Sequence, residues 1–154
     1  MKDKGTPVLI RLKAMASYEG IESVPIQLMT MGTLTKQPEK EHYIIRYRET
    51  DRDETTGETM VSDVELDLKK NRVIMNRSGD FSNTMVFARD QRFDGQYRTP
   101  YGDMDMAVYT RHLQCSVGEK EGSLYLKYQL NLQGNYASTN ELHLNYLTGK
   151  GKAV

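Results

Sequence analysis

The apolar residues of this chain recur at every second position, not at every third and fourth. Val8, Ile10, Leu12, Ala14 and Ala16 alternate with Leu9, Arg11, Lys13 and Met15, and Tyr43, Ile45, Tyr47 and Glu49 alternate with Ile44, Arg46, Arg48 and Thr50. Val64, Leu66 and Leu68 alternate with Asp63, Glu65 and Asp67. The run Leu124, Leu126, Tyr128, Leu130 and Leu132 alternates with Tyr125, Lys127, Gln129 and Asn131, and Leu142, Leu144 and Tyr146 close the pattern. A period of two sends successive side chains to opposite faces, so each run is a strand with one buried and one wet face. Between the runs, Thr56-Gly57, Lys70-Asn71, Ser78-Gly79-Asp80, Asp94-Gly95, Tyr101-Gly102, Gly118 to Gly122 and Gly134-Asn135 supply residues that tolerate the positive φ of tight hairpins. The pattern predicts ten strands, over about 7–16, 26–36, 41–50, 58–68, 72–78, 81–91, 95–101, 103–117, 121–133 and 136–147. Residues 17–25 read as a short turn ended by Pro25. No segment carries a long amphipathic helix.

Many strands joined by tight turns make an antiparallel meander, and a meander of this length exposes long edges unless it closes. The expected fold is therefore all-β: a closed or flattened up-and-down barrel of about eight to ten strands, holding its alternating apolar face inside. One strand departs from simple parity. Met104, Met106, Val108 and Thr110 share one parity, whereas Leu113, Cys115 and Val117 share the other. A β-bulge near Arg111 or His112 would let this long strand keep its apolar side inward.

Length and composition narrow the picture. The 154 residues fit one domain with an ordered core over about 7–147 and a flexible basic tail over 148–154. The chain has ten Tyr, nine Met and no Trp, and its single cysteine, Cys115, excludes an internal disulfide framework. Lys plus Arg and Asp plus Glu are 21 each, which argues against a dedicated nucleic-acid binder. Arg11 and Lys13 interrupt the first apolar stretch, so neither a signal peptide nor a transmembrane helix is expected, and the expected compartment is the cytoplasm.

In a meander, alternate connections share a rim. With the first strand running up, the connections near 17–25, 50–57, 79–81, 101–103 and 134–136 lie at one end, the candidate mouth. Two charged residues fall inward there by parity, Glu49 behind Tyr47 and Arg77 behind Met75. An inward charge needs a partner, either each other or, for Arg77, an anionic group of a ligand. Tyr97, Thr99 and Tyr101 share a parity near the same rim, as a turn or as an amphipathic wall. Tyr47 and Tyr128 read as inward rings with bonded hydroxyls or as pocket walls. These seven residues form the candidate ligand site. The motifs of enzymes and metal sites are missing: His42, His112 and His143 lie on different strands, and no Gly-x-Ser-x-Gly elbow or P-loop occurs. The acidic run from Glu49 to Gly57 misses the glycine and glutamate positions of a calcium loop. No cofactor and no metal are expected.

The segment Gln96-Tyr97-Arg98-Thr99-Pro100-Tyr101-Gly102, followed by Met104, Met106 and Thr110, resembles the TPYG-type segment of the YwiB-like proteins. Tyr47-Arg48-Glu49, Arg77-Ser78-Gly79 and Met85-Val86-Phe87 stand in the matching order. The resemblance implies a small bacterial protein with a calycin, lipocalin-like barrel and brings no established activity. The functional expectation is a barrel that binds a small amphipathic or anionic ligand in its mouth, as a monomer or weak homodimer, without nucleic-acid or membrane partners. The alternative is a non-catalytic structural or interaction module with a filled core that self-associates.

Overall fold

A computed structural model describes residues 5–18, 21–22, 25–52 and 55–149. The strands are β1 (Thr6–Tyr18), β2 (Ile21–Glu22), β3 (Ile26–Lys36), β4 (Tyr43–Arg52), β5 (Thr59–Lys69), β6 (Arg72–Gly79), β7 (Ser82–Phe87), β8 (Arg92–Thr99), β9 (Gly102–Ser116), β10 (Glu121–Leu132) and β11 (Asn135–Thr148). Each long strand pairs antiparallel with its neighbours in sequence, and β11 returns to pair with β1 from Val8↔Thr148 to Ser17↔Thr139. Ten strands thus close an up-and-down barrel, with the two-residue β2 as an extra piece. No α-helix occurs among the described residues.

The alternation sets what points inward. Val8, Ile10, Ile45, Leu66, Leu68, Val73, Phe87, Val108, Leu113, Leu124, Leu126 and Leu144 form one buried core, and most charged residues of the same strands face out, with Glu49 and Arg77 as exceptions. On the outside, Arg46 pairs with Glu65 and Arg48 with Asp63 across β4 and β5, at 3.0 and 2.9 Å. The expected bulge in β9 falls at Arg111: Lys127 sits opposite His112 and Tyr128 opposite Thr110, so Arg111 is the extra residue. The register shift restores the inward parity of Leu113 and Cys115. Burial raises the Cys115 thiol to about 11, as suits a small core side chain.

Three boundaries differ from the sequence pattern. Residues 17–25 extend the β1 hairpin through β2, with Ser17↔Glu22 and Tyr18↔Ile21, in place of a simple turn. Asp94-Gly95 lies inside β8, and the chain turns earlier, at residues 88–91, where Asp90 takes a φ of 60°. There the Asp90 N–H donates to the Thr110 carbonyl and the Thr110 N–H donates to the Gln91 carbonyl, both at 3.0 Å. Thr148, read as the start of the tail, belongs to β11 and is buried. Residues 150–154 of that tail, and Asp53 and Glu54 of the acidic run, lie outside the described residues.

The two ends of the barrel are built differently. At the lower end, where β1 enters and β11 leaves, the Tyr146 hydroxyl donates to the Gly118 carbonyl at 2.8 Å and accepts from the Gly118 N–H at 2.9 Å. The Thr148 hydroxyl reaches the carbonyls of Glu119 and Lys120 at 3.0 and 3.1 Å. Gly122 makes room for the Tyr146 ring, since a β-carbon there would fall inside it. At the upper end β3 splays from β4, the two pairing only from Gly32↔Tyr47 to Lys36↔Tyr43. β7 and β8 stay paired there, at Ser82↔Arg98 and Asn83↔Tyr97, and part toward the lower end.

Candidate functional site

The upper half of the lumen is polar, and the strand register explains how. Tyr47, Val64, Arg77, Asn83, Tyr97 and Met104 follow one another across β4 to β9, each opposite the next. Directly opposed residues bring their β-carbons to about 5 Å. Period-two alternation on each strand sends this row into the barrel.

Arg77 and Glu49 hold each other. Arg77 Nη2 donates to both carboxylate oxygens of Glu49, at 3.0 and 3.3 Å, with side chains 19% and 34% exposed. Burial works to lower the pKa of the guanidinium, but the charge and hydrogen bonds of Glu49, with smaller pulls from Tyr47 and Tyr97, carry it above its ordinary value. The Tyr47 hydroxyl donates to Glu49 at 3.4 Å, and burial, then the Glu49 charge, pushes its pKa up. Tyr128 stacks at a tilt on Phe87, with ring centroids 4.8 Å apart. Burial lifts its hydroxyl to about 12 against the opposing pull of Arg77. The Tyr97 ring meets the edge of Phe81, at the rim, at 6.2 Å.

Five of the seven candidate residues are therefore brought together: Tyr47, Glu49, Arg77, Tyr97 and Tyr128. The other two serve the β8–β9 turn. The Thr99 hydroxyl donates to the Gly102 carbonyl at 2.8 Å and accepts from the Tyr101 N–H at 3.1 Å, while the Tyr101 side chain is 82% exposed. Their parity loses its meaning at the rim, where the ladder ends and the chain reverses.

Two further residues were not among the seven. Asn83 is 6% exposed, and neither its Oδ1 nor its Nδ2 has a hydrogen-bond partner among the described residues. Thr110, 2% exposed, has an unpartnered hydroxyl and stands opposite Tyr128. Buried polar groups are almost always paired, so each calls for a cause: Asn83 near the upper rim, level with Met104, and Thr110 six residues further down β9, beside the 88–91 turn. The parity of Met85 and Phe87 marks Asn83 as inward in the sequence, but parity does not report whether a side chain is partnered.

The family model described as Domain of unknown function (DUF1934) matches residues 10–144. The crystal structure of the ywiB protein from Bacillus subtilis superposes with a TM-score of 0.75 at 17% identity, covering 96% of this chain and 94% of that one, which shows a shared fold. A crystal structure of a protein of unknown function from Bacteroides ovatus aligns with a TM-score of 0.37 at 11% identity, over 98% of this chain and 43% of that one. No curated protein matches the chain.

Proposed function

The chain belongs to the DUF1934 family, a domain of unknown function, and from that premise we propose that it is a binding barrel, taking a small amphipathic molecule into the polar upper half of its lumen. The observation that carries this is Asn83: a buried carboxamide, open at both ends, set between Arg77 and Tyr97. An unpaired buried amide costs about 1–3 kcal/mol, and a ligand that meets both of its ends offsets that cost on binding. Barrels of eight strands already hold one small ligand, and width grows with strand number. The apolar part of the ligand would lie against Tyr128, Phe87 and Met85. Cytoplasmic placement belongs to the same proposal. The outer face carries the Arg46–Glu65 and Arg48–Asp63 ladder, the reverse of the apolar band that a lipid-facing barrel presents.

Native mass spectrometry of the full chain, purified mildly from its host, tests this. The expected spectrum holds a small-molecule mass in addition to the chain, lost on denaturation and reduced in Asn83→Leu. A bare chain that also fails to bind any member of a metabolite mixture would overturn the proposal.

A second reading rests on a different observation. Above Gly32 the outer edge of β3 lacks a strand partner among the described residues, and Ile26, Leu28, Met29 and Met31 there are exposed. Natural edges are guarded by charge or Pro, and residues 26–31 carry neither. Pairing of this edge with that of a second copy would form a weak dimer. Light scattering across a concentration series should then show a dimer that Met29→Lys removes; a monomer at all concentrations would exclude it.

A further inference from the structure

The chemistry of the polar lumen narrows the ligand beyond its being small. Resting on the reading that the mouth is a binding site, we infer that the ligand is electrically neutral and carries an adjacent N–H and C=O on a planar ring, as lactams, cyclic imides and pyrimidinones do.

Charge comes first. The one cation of the inward row, Arg77, already donates to both oxygens of Glu49. The pair is neutral as a unit. An anionic ligand would have to separate it, leaving the Glu49 carboxylate beside the incoming charge in a half-buried setting, where like charges repel strongly. A cationic ligand meets the same obstacle from Arg77. A neutral ligand leaves the pair intact.

Hydrogen bonding comes second. The Asn83 side chain offers one acceptor and two donors, and both its oxygen and its nitrogen are unpartnered. A carboxamide presents C=O and N–H along one edge. The group that meets both at once is another cis amide, whose N–H donates to Asn83 Oδ1 while its C=O accepts from Nδ2. A carboxylate offers acceptors only, so Asn83 Oδ1 would stay unmet. A hydroxyl meets either end, but a single hydroxyl does not span the two.

Shape comes third. Phe81 and Tyr97 meet edge to face at the rim, and Tyr97 stands directly opposite Asn83. Aromatic rings there favour a planar ligand that stacks.

The experiment compares three probes on the full chain by nitrogen–proton NMR. They are 2-pyridone, with its adjacent N–H and C=O, N-methyl-2-pyridone, with the donor removed, and benzoate, a planar anion. The expected result is saturable movement of the Asn83 side-chain amide signals by 2-pyridone, at least about tenfold weaker binding of the N-methyl compound, and loss of that discrimination in Asn83→Leu. The comparison of the two pyridones on the unaltered chain holds even if the variant folds poorly. Equal binding of the two pyridones, or preference for benzoate with movement of the Arg77 Nε signal, would overturn the ligand class while leaving the mouth as a binding site. Failure of all three probes to move any lumen signal would overturn both.

Discussion

The two ends of this barrel use the same strands and the same alternation yet finish differently. At the lower end, inward positions are mostly aliphatic or aromatic, and the Tyr146 hydroxyl is engaged with Gly118 and the Thr148 hydroxyl with Glu119 and Lys120, with the Thr110 hydroxyl beside the 88–91 turn as the exception. At the upper end, inward positions include Glu49, Arg77 and Asn83, and both polar side-chain atoms of Asn83 are without partners. The lower end mostly follows the rules of a stable core; the upper end departs from them at Asn83, next to the Glu49–Arg77 pair. A departure of that kind marks where a fold serves function and not stability. The strand ladders repeat the contrast only in part. Pairing is continuous where β10, β11 and β1 meet; β3 leaves β4 toward the upper end, whereas β7 leaves β8 toward the lower end.

The largest expected effect lies in the lower half. Phe87 is fully buried against Tyr128, so Phe87→Ala should cost about 3–5 kcal/mol in denaturant unfolding. A loss below about 1 kcal/mol would mean the lower core is as loosely built as the upper end.

The Glu49–Arg77 pair should give an intermediate effect. Exposed pairs contribute about 0–1 kcal/mol, and breaking a buried pair costs about 3–5 kcal/mol. At 19% and 34% side-chain exposure, Arg77→Ala should cost about 2 kcal/mol, between those limits. Adding Glu49→Gln should cost less than the sum of the single changes, because the carboxylate left behind is then neutralised. Strict additivity in the double-mutant cycle would show that the two residues act separately.

Alkaline pH should act along the whole barrel. Tyr128, between the two ends, and Tyr146 at the bottom have hydroxyls raised from about 10 to about 12. A raised folded-state pKa means stability that is complete below pH 10, the unfolded value, and is lost as pH rises through about 12. Melting temperature followed from pH 8 upward should therefore stay level to about 10 and then fall. Tyr128→Phe and Tyr146→Phe should each flatten the fall. A level profile through pH 12 would remove the burial assigned to both hydroxyls.

The smallest effect has the opposite sign. Asn83→Leu should be neutral or stabilising by up to about 1 kcal/mol, since a side chain of similar volume replaces an unpaired amide. A loss of about 2 kcal/mol or more would mean that Asn83 has structural partners, and the contrast between the two ends would shrink.

Much of this was legible in the sequence, and the reasons are local. Period two placed the long strands, and the parity break between Thr110 and Leu113 called for a bulge near Arg111 or His112, which the register puts at Arg111. Parity also put Glu49 and Arg77 inside, and the scarcity of unpaired inward charges called for a partner, either each other or a ligand group; the structure shows the pair. Other features depend on contacts distant in sequence. Asp94-Gly95 has the composition of a hairpin turn, but β8 runs through it beside β9, so the ladder outweighed local preference. The splaying of β3 from β4 begins at Gly32, where a β-carbon would strike the Arg46 carbonyl; the glycine is visible in the sequence and the close approach is not. Thr99 and Tyr101 have an inward parity that the turn cancels. Asn83 reads as one more alternating position, and its unmet amide emerges only when every neighbour is placed.

The central claim is that the Asn83 amide faces a space meant for another molecule. A crystal structure at a resolution that places ordered solvent tests it most directly. The expected result is density of a ligand, or of water holding its place, within hydrogen-bonding distance of Asn83 Oδ1 and Nδ2. A structure in which both atoms are bonded to protein groups, with the upper lumen packed shut around them, would contradict it.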